Sequence, residues 1–431
     1  MRQPLFFLAV VLTSACGAIA ETPSQTRDSV SIQDSLRELS RKLDILTEEF
    51  EALRSGEVMD EKYEPQRGLG PAGGRVYQRQ KTGVSLAGYG EAVYENFSVM
   101  RDDDQPANKP DRVDFVRAVV YVGYRFNDWI LLNTEIEFEH ASTGKGGEVS
   151  VEFGYLELIF SEHANLRAGL LLPPVGIINE KHEPTTFFGT LRPQVERSII
   201  PTTWRANGAG VYGTIVSGLG YRAYVVEGLN AAGFTDTDGI RGGRQNGALA
   251  LAEDMALTGR IEYEGLPGTI VAASVFTGNA GQGAQDSLGQ ISAATTVISG
   301  HAEVAWKGLE VRALVAQTTI NDAGRLSVMT GKTIGSKLFG WYVTAGYDVL
   351  PLFIPGSEHA LLPYVQYEIF NTQEEVDPGF VANPANDRSI LTLGLMYKPH
   401  PNVAFKADTR DNKNEAGTGI NQWNLAVNYL F

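Results

Sequence analysis

Cysteine is all but missing from this 431-residue chain: Cys16 stands alone, so no disulfide can form within it. Long apolar runs are missing too. After the first twenty residues nothing approaches the ~18 apolar residues a membrane-spanning helix requires, which leaves strands as the only means of crossing a bilayer. Positive charge is in short supply: 36 Lys and Arg face 51 Asp and Glu, for a formal charge of −15. That balance excludes nucleic acid as a partner. The histidines at 140, 163, 182, 301, 359 and 400 show no metal-ligand spacing. No metal and no cofactor is expected.

What is present begins with MRQPLFFLAVVLTSACGAIA. Arg2, the apolar run from Leu5 to Leu12, and the small residues Ala18 and Ala20 form a secretory signal over residues 1–20. Lipidation at Cys16 is the rival reading, although Thr13 stands where such signals carry an aliphatic residue. Residues 21–56 hold a short coiled coil. Ile32, Leu36, Leu39, Leu43, Leu46, Phe50 and Leu53 are spaced alternately by four and three, which is a heptad seam. Ser31 with Asp34 resembles a capping box, and Gly56 stops the helix. Residues 57–81, with EPQRGLGPAGGR, read as a flexible linker.

Residues 82–431 change character. Apolar side chains recur at every second position, the mark of strands with one apolar face. Strands are expected at 84–97, 112–126, 128–140, 148–160, 163–172, 207–216, 218–228, 253–264, 267–277, 299–307, 309–319, 337–349, 359–371, 387–398, 401–410 and 421–431. Tight connections such as Asn127-Asp128, Ser161-Glu162, Ser217-Gly218 and Lys307-Gly308 alternate with long polar ones such as MRDDDQPANKPD and FTDTDGIRGGRQNG. Short turns alternating with long loops, over an even number of ~10-residue strands, describe an all-β, sixteen-stranded antiparallel transmembrane barrel. A barrel of that size encloses water. Only DVLPLFIPGSE, Asp348 to Glu358, breaks the rhythm, being long and apolar where a tight turn is due.

One connection, residues 173–206, is far longer than a hairpin needs. Its Ile177, Ile178, Phe187, Phe188, Ile199 and Ile200 would not remain in solvent, and the inside of the barrel is the place to bury them. The loop is therefore expected to narrow the pore, with Glu180, Lys181, His182, Glu183, Arg192, Glu196, Arg197 and Arg205 as its charged lining. On the strands, Arg117, Arg167, Arg222, Arg260 and Arg312 share the lumen face with Glu91, Glu135, Glu137, Glu139, Glu262, Glu303 and Glu368. Each arginine either lines the pore or closes a salt bridge with a neighbouring glutamate.

The stretch LRAGLLLPPVGIINEKHEPTTFFGTLRPQVERSIIPTTWRANGAGVYG, Leu166 to Gly213, resembles the phosphate-selective porin family of outer-membrane porins (O and P type). The likeness lies in a strand, a Pro-x-Gly entry at Pro174 to Gly176, and Glu196-Arg197 and Trp204-Arg205 before a Gly-rich strand. It implies a homotrimeric sixteen-stranded channel in the outer membrane of a Gram-negative bacterium, its third loop folded inward, the N-terminal coil in the periplasm. The partners implied are outer-membrane lipid, small hydrophilic solutes or ions, and the barrel assembly machinery, for which the terminal Phe431 is similar to the family's insertion signal. Its removal is expected to impair assembly. The dense run of Arg and Lys that a phosphate filter implies does not occur in this sequence, so anion, cation and phosphate preference stay open.

Two further patterns bear on other functions. GAGVYG matches G-x-G-x-x-G, but a dinucleotide site needs a helix after it, and TIVSGLGYRAYVV is strand-like. No serine-histidine pairing suggests a nucleophile, so catalysis is not expected. An envelope tether or an outer-membrane enzyme is the alternative of another class.

Overall fold

From Gly83 onward the period-two pattern becomes a series of antiparallel strands, each bonded to the next until the first meets the last. The strands are β1 (Gly83–Phe97), β2 (Arg112–Arg125), β3 (Ile130–Glu139), β4 (Val149–Ile159), β5 (Asn165–Leu171) and β6 (Ala206–Val216). They continue as β7 (Leu219–Glu227), β8 (Met255–Leu266), β9 (Thr269–Gly278), β10 (Gln285–Asp286), β11 (Gly289–Gln290) and β12 (Thr295–Trp306). The last six are β13 (Leu309–Ile320), β14 (Gly335–Tyr347), β15 (Ala360–Val376), β16 (Asp387–His400), β17 (Val403–Asn414) and β18 (Gln422–Leu430). β10 and β11 pair only with each other, and the other sixteen form one closed antiparallel barrel. The computed structural model describes residues 41–42, 68–79, 81–144 and 146–431. The expected signal peptide and all but two residues of the expected coiled coil lie outside these. Glu64–Phe431 form one compact unit.

The wall obeys the alternation. On β18, Asn424, Ala426 and Asn428 are buried on the inner face, while Trp423, Leu425, Val427 and Tyr429 are exposed on the outer one. Leu156, Val211, Leu257, Val275, Ile298, Val315 and Leu393 continue this outward apolar belt around the barrel. β18 closes against β1 from Tyr89↔Leu430 to Phe97↔Gln422. Phe431 extends the seam by one more pair: its N–H and C=O exchange hydrogen bonds with Gly88, each at 2.9 Å.

Two expectations are corrected. First, β15 runs on to Val376 and β17 to Asn414, past the expected 371 and 410. The added residues are mostly polar on both faces, so the apolar alternation stops before the backbone ladder does. Second, residues 68–79 do not behave as a flexible linker. They lie against the inner wall, with a helical turn at Arg75–Gln78 and with Leu69, Ala72 and Val76 buried. The irregular stretch after β14, which no expectation covered, is a short helical turn, Leu350–Phe353, at the same rim as the tight turns. Asp348 ties it down by accepting from the Leu350 and Leu361 N–H groups. Leu352, Phe353 and Ile354 stay exposed there, at the rim that also exposes Phe126, Trp129, Phe160 and Trp306.

Candidate functional site in the bore

The long connection between β5 and β6, residues 172–205, passes into the barrel, and most of it is buried. A loop carrying Ile177, Ile178, Phe187, Phe188, Ile199, Ile200 and Trp204 must shed water from them, and the wall makes space. An added Cβ at Gly346 would stand 2.4 Å from the Phe188 ring, and one at Gly340 would stand 3.1 Å from Ile199. Phe188 seats in a cluster with Leu362, Tyr364, Met396 and Ala404. The base of the loop is stapled by Asn179, whose amide donates to the Pro173 and Trp204 carbonyls and accepts from Trp204 N–H.

Burying a loop also strands its backbone polar groups, each costly unless paired. The far wall supplies the partners. Lys406 on β17 donates to the carbonyls of Pro184 (2.6 Å), Phe187 (2.7 Å) and Gly189 (2.9 Å). Asp408 accepts from the Thr190 N–H and hydroxyl. Glu368 on β15 accepts from the N–H groups of Gln194 and Val195, at the start of the helical turn Val195–Ser198. The loop therefore spans the bore and is held at both sides.

Each charged loop residue expected from sequence has a defined place. Glu180 pairs with Arg260 (3.0 Å) and Arg222 (3.4 Å), and both arginines also meet Glu262. Lys181 reaches Glu303 (3.1 Å), which Arg312 also approaches. His182 sits 2.9 Å from Glu135. Burial works against its protonation, but the Glu135 carboxylate prevails and raises its pKa. Glu183 accepts from the N–H groups of Ala72 and Gly73. Glu196 accepts from Ile177 and Ile178 N–H and from the Tyr342 hydroxyl. Burial pushes both Glu183 and Glu196 up to about 7. Arg192 donates to the His182 carbonyl, Arg197 pairs with Asp238 (2.6 Å), and Arg205 pairs with Glu152. On the wall, Arg117 bridges Glu137 (3.0 Å) and Glu91 (3.2 Å), and Arg167 pairs with Glu157 (2.8 Å). All five wall arginines thus sit in ion pairs. Lys181, Glu303 and Arg312 keep part of their surface open to water.

Sequence reasoning missed one assembly. Arg192, Arg197 and Arg205 from the loop meet Arg241 and Arg244 from the β7–β8 connection and Arg388 from β16, at the long-loop end. Arg388 donates to the Thr237 carbonyl, one residue from the Asp238 that pairs with Arg197. Arg244 donates to the Pro201 and Thr203 carbonyls. Burial, and then the neighbouring Arg244, Arg197 and Arg192, depress Arg241 to about 9. Buried guanidinium nitrogens of Arg192, Arg205, Arg241 and Arg388 lack a hydrogen-bond partner. Arg192 has Glu91 and Glu137 beside it, and the carboxylates near the other five are Glu139, Glu152, Asp236 and Asp238. Five guanidiniums against four carboxylates leave this mouth with a formal +1.

The G-x-G-x-x-G residues Gly208, Gly210 and Gly213 lie within β6, followed by the hairpin into β7 rather than by a helix. The nucleotide-site context is missing.

No family model matches the sequence. An uncharacterized protein of Aquifex aeolicus (strain VF5) is 37% identical over 400 residues, covering 89% of this chain and 87% of that one. The chain belongs to that protein's family. Among solved structures, this member of the family is similar in fold to an anion-selective porin from Comamonas acidovorans. The TM-score is 0.52 at 13% identity, over 81% of this chain and 100% of that one. It is also similar to a loop L8 deletion mutant of OmpT, an outer membrane protein of Vibrio cholerae. There the TM-score is 0.50 at 11% identity, over 81% and 99% of the two chains. At these identities the likeness is one of fold.

Proposed function

We propose that this chain is an outer-membrane porin through which small hydrophilic solutes or ions diffuse, with loop 172–205 as the constriction. The observation that carries the reading is the loop itself, tied across the bore by Lys406, Asp408 and Glu368 and bearing charged groups on its open side. The outward apolar belt matches hydrocarbon on one side and water on the other, and the heptad seam of residues 32–53 suits a homotrimer. Catalysis has no part in this reading: Arg117, Arg167, Lys181 and Arg260 in the bore are each engaged in ion pairs with glutamates.

The arginine-rich mouth favours anions. Positive charge at a narrow entry raises the local anion concentration and excludes cations. Since the wall arginines are each neutralised by glutamate, the preference is for small anions in general rather than for tightly bound phosphate.

Purified protein in planar bilayers tests this reading. Stepwise ohmic conductance is expected, with a reversal potential in a KCl gradient on the anion side. No conductance would overturn it in favour of a tether or enzyme. Acidification sharpens the outcome. Glu183 and Glu196 are carboxylates raised to about 7, so they take up protons as pH falls from 8 to 6. The bore loses negative charge, and the reversal potential should move further toward chloride.

A further inference from the structure

We infer that residues 68–79 are a displaceable plug: docked, they fill the β1–β7 side of the bore, and withdrawn, they widen the passage. The inference rests on the channel reading above, and it concerns a part of the molecule that reading does not use.

The segment is fitted to the wall. A Cβ added at Gly68 would stand 2.4 Å from the Arg222 guanidinium, and one at Gly70 would stand 2.5 Å from the Glu183 carboxyl. Gly73 lies against the Tyr121 ring, and Gly123 on β2 leaves the space that Val76 occupies. Hydrogen bonds fix the orientation. Glu183 accepts from Ala72 and Gly73 N–H, and Asn133 donates to the Gly73 carbonyl. The Tyr77 hydroxyl donates to Glu157, lies 3.1 Å from the Tyr155 hydroxyl, and accepts from Arg167. A segment that merely connected a coil to a barrel would need none of this.

The hold is of a kind that water can replace. The segment is none of the barrel's strands, and beyond the buried Leu69, Ala72 and Val76 its attachment runs through hydrogen bonds to side chains of the wall and loop. In a water-filled bore such bonds can be exchanged for bonds to water at small net cost. The loop contributes Glu183, which accepts from both Ala72 and Gly73, so the plug is latched to the constriction as well as to the wall. Withdrawal would bare Tyr121, Asn133, Tyr155, Glu157 and Arg167 to the bore.

A reversible lock tests the plug. Val76 Cβ and Ser85 Cβ stand 2.7 and 3.5 Å from one point, the Cβ position above Gly123, so the two are neighbours while the segment is docked. Val76→Cys/Ser85→Cys is therefore the pair to bridge, with formation of the disulfide checked by non-reducing mass spectrometry. In a Cys16→Ser background, the reduced channel should switch between two conductance levels in planar bilayers. Oxidation should abolish the higher level, and reduction should restore it. A second readout needs no current. A single Ala72→Cys should react slowly with a membrane-impermeant maleimide, and several-fold faster when Glu183→Ala is added. A reduced channel that conducts and is indifferent to oxidation overturns the plug, as does labelling that Glu183→Ala leaves slow. Absence of conductance in both redox forms overturns the channel reading instead, and the labelling rates alone then decide the plug.

Discussion

Replacing residues 177–203 by a short Gly-Ser bridge will raise single-channel conductance several-fold while the barrel still assembles. The wall ladders do not pass through this loop: β5 pairs with β6 from Asn165↔Tyr212 to Leu171↔Ala206 without it. What the excision removes is the material between the walls, together with Glu183, the anchor of residues 68–79. The milder variant Lys406→Met leaves the loop in place but frees three carbonyls. Each buried group left unpaired costs about 1–3 kcal/mol, enough to loosen residues 184–189 without unfolding the barrel. Frequent transitions to larger conductance are expected from it, between the wild-type and excised values. Conductance unchanged by the excision would show that the loop does not limit the passage.

The combination of Arg197→Gln, Arg241→Gln and Arg388→Gln will turn an anion-preferring channel toward cations. These changes take the mouth from a formal +1 to −2. At ~8 Å across water each charge acts on a passing ion with roughly 0.5 kcal/mol. Three together amount to about 1.5 kcal/mol, or roughly a tenfold change in the chloride-to-potassium permeability ratio. Reversal potentials at ~0.1 M salt read this directly. The difference should shrink near 1 M, where the Debye length falls to about 3 Å. Arg244 is left alone because it holds two carbonyls of the constriction loop itself, Pro201 and Thr203, whereas the Thr237 carbonyl that Arg388 holds lies outside that loop. A ratio unmoved by the triple substitution would remove this mouth from any account of selectivity.

The wall was legible in the sequence because its rule is local. A period of two, with Trp423, Leu425, Val427 and Tyr429 on one face, needs only neighbouring residues to be seen, and the long-short rhythm supplies the topology. The length of the β5–β6 connection marked it as an inner element by its apolar content. Its anchors were not legible. Lys406, Asp408 and Glu368 occupy ordinary inward positions of the alternation, and nothing near them says that a loop some two hundred residues earlier will supply their partners. The arginine mouth escaped for the same reason: 192–205, 241–244 and 388 never form a run. Residues 68–79 were misread for a different one. Gly70, Gly73 and Gly74 give the stretch a linker's composition, yet a missing side chain serves close packing as well as freedom. Composition cannot tell the two apart.

The anchoring across the bore also fixes an order of events. Thr190 bonds to Asp408 and Pro184 to Lys406 over separations of 218 and 222 residues, and the β1–β18 seam joins the two ends of the barrel chain. Such distant contacts form late, because the entropy of closing the intervening chain must be met first. The loop's partners, Glu368, Lys406 and Asp408, lie on β15 and β17, so it can take its final place only after those late strands have joined the sheet. The last quarter of the wall is therefore a receptacle as well as a closure, and a substitution there can disorder an element made about two hundred residues earlier.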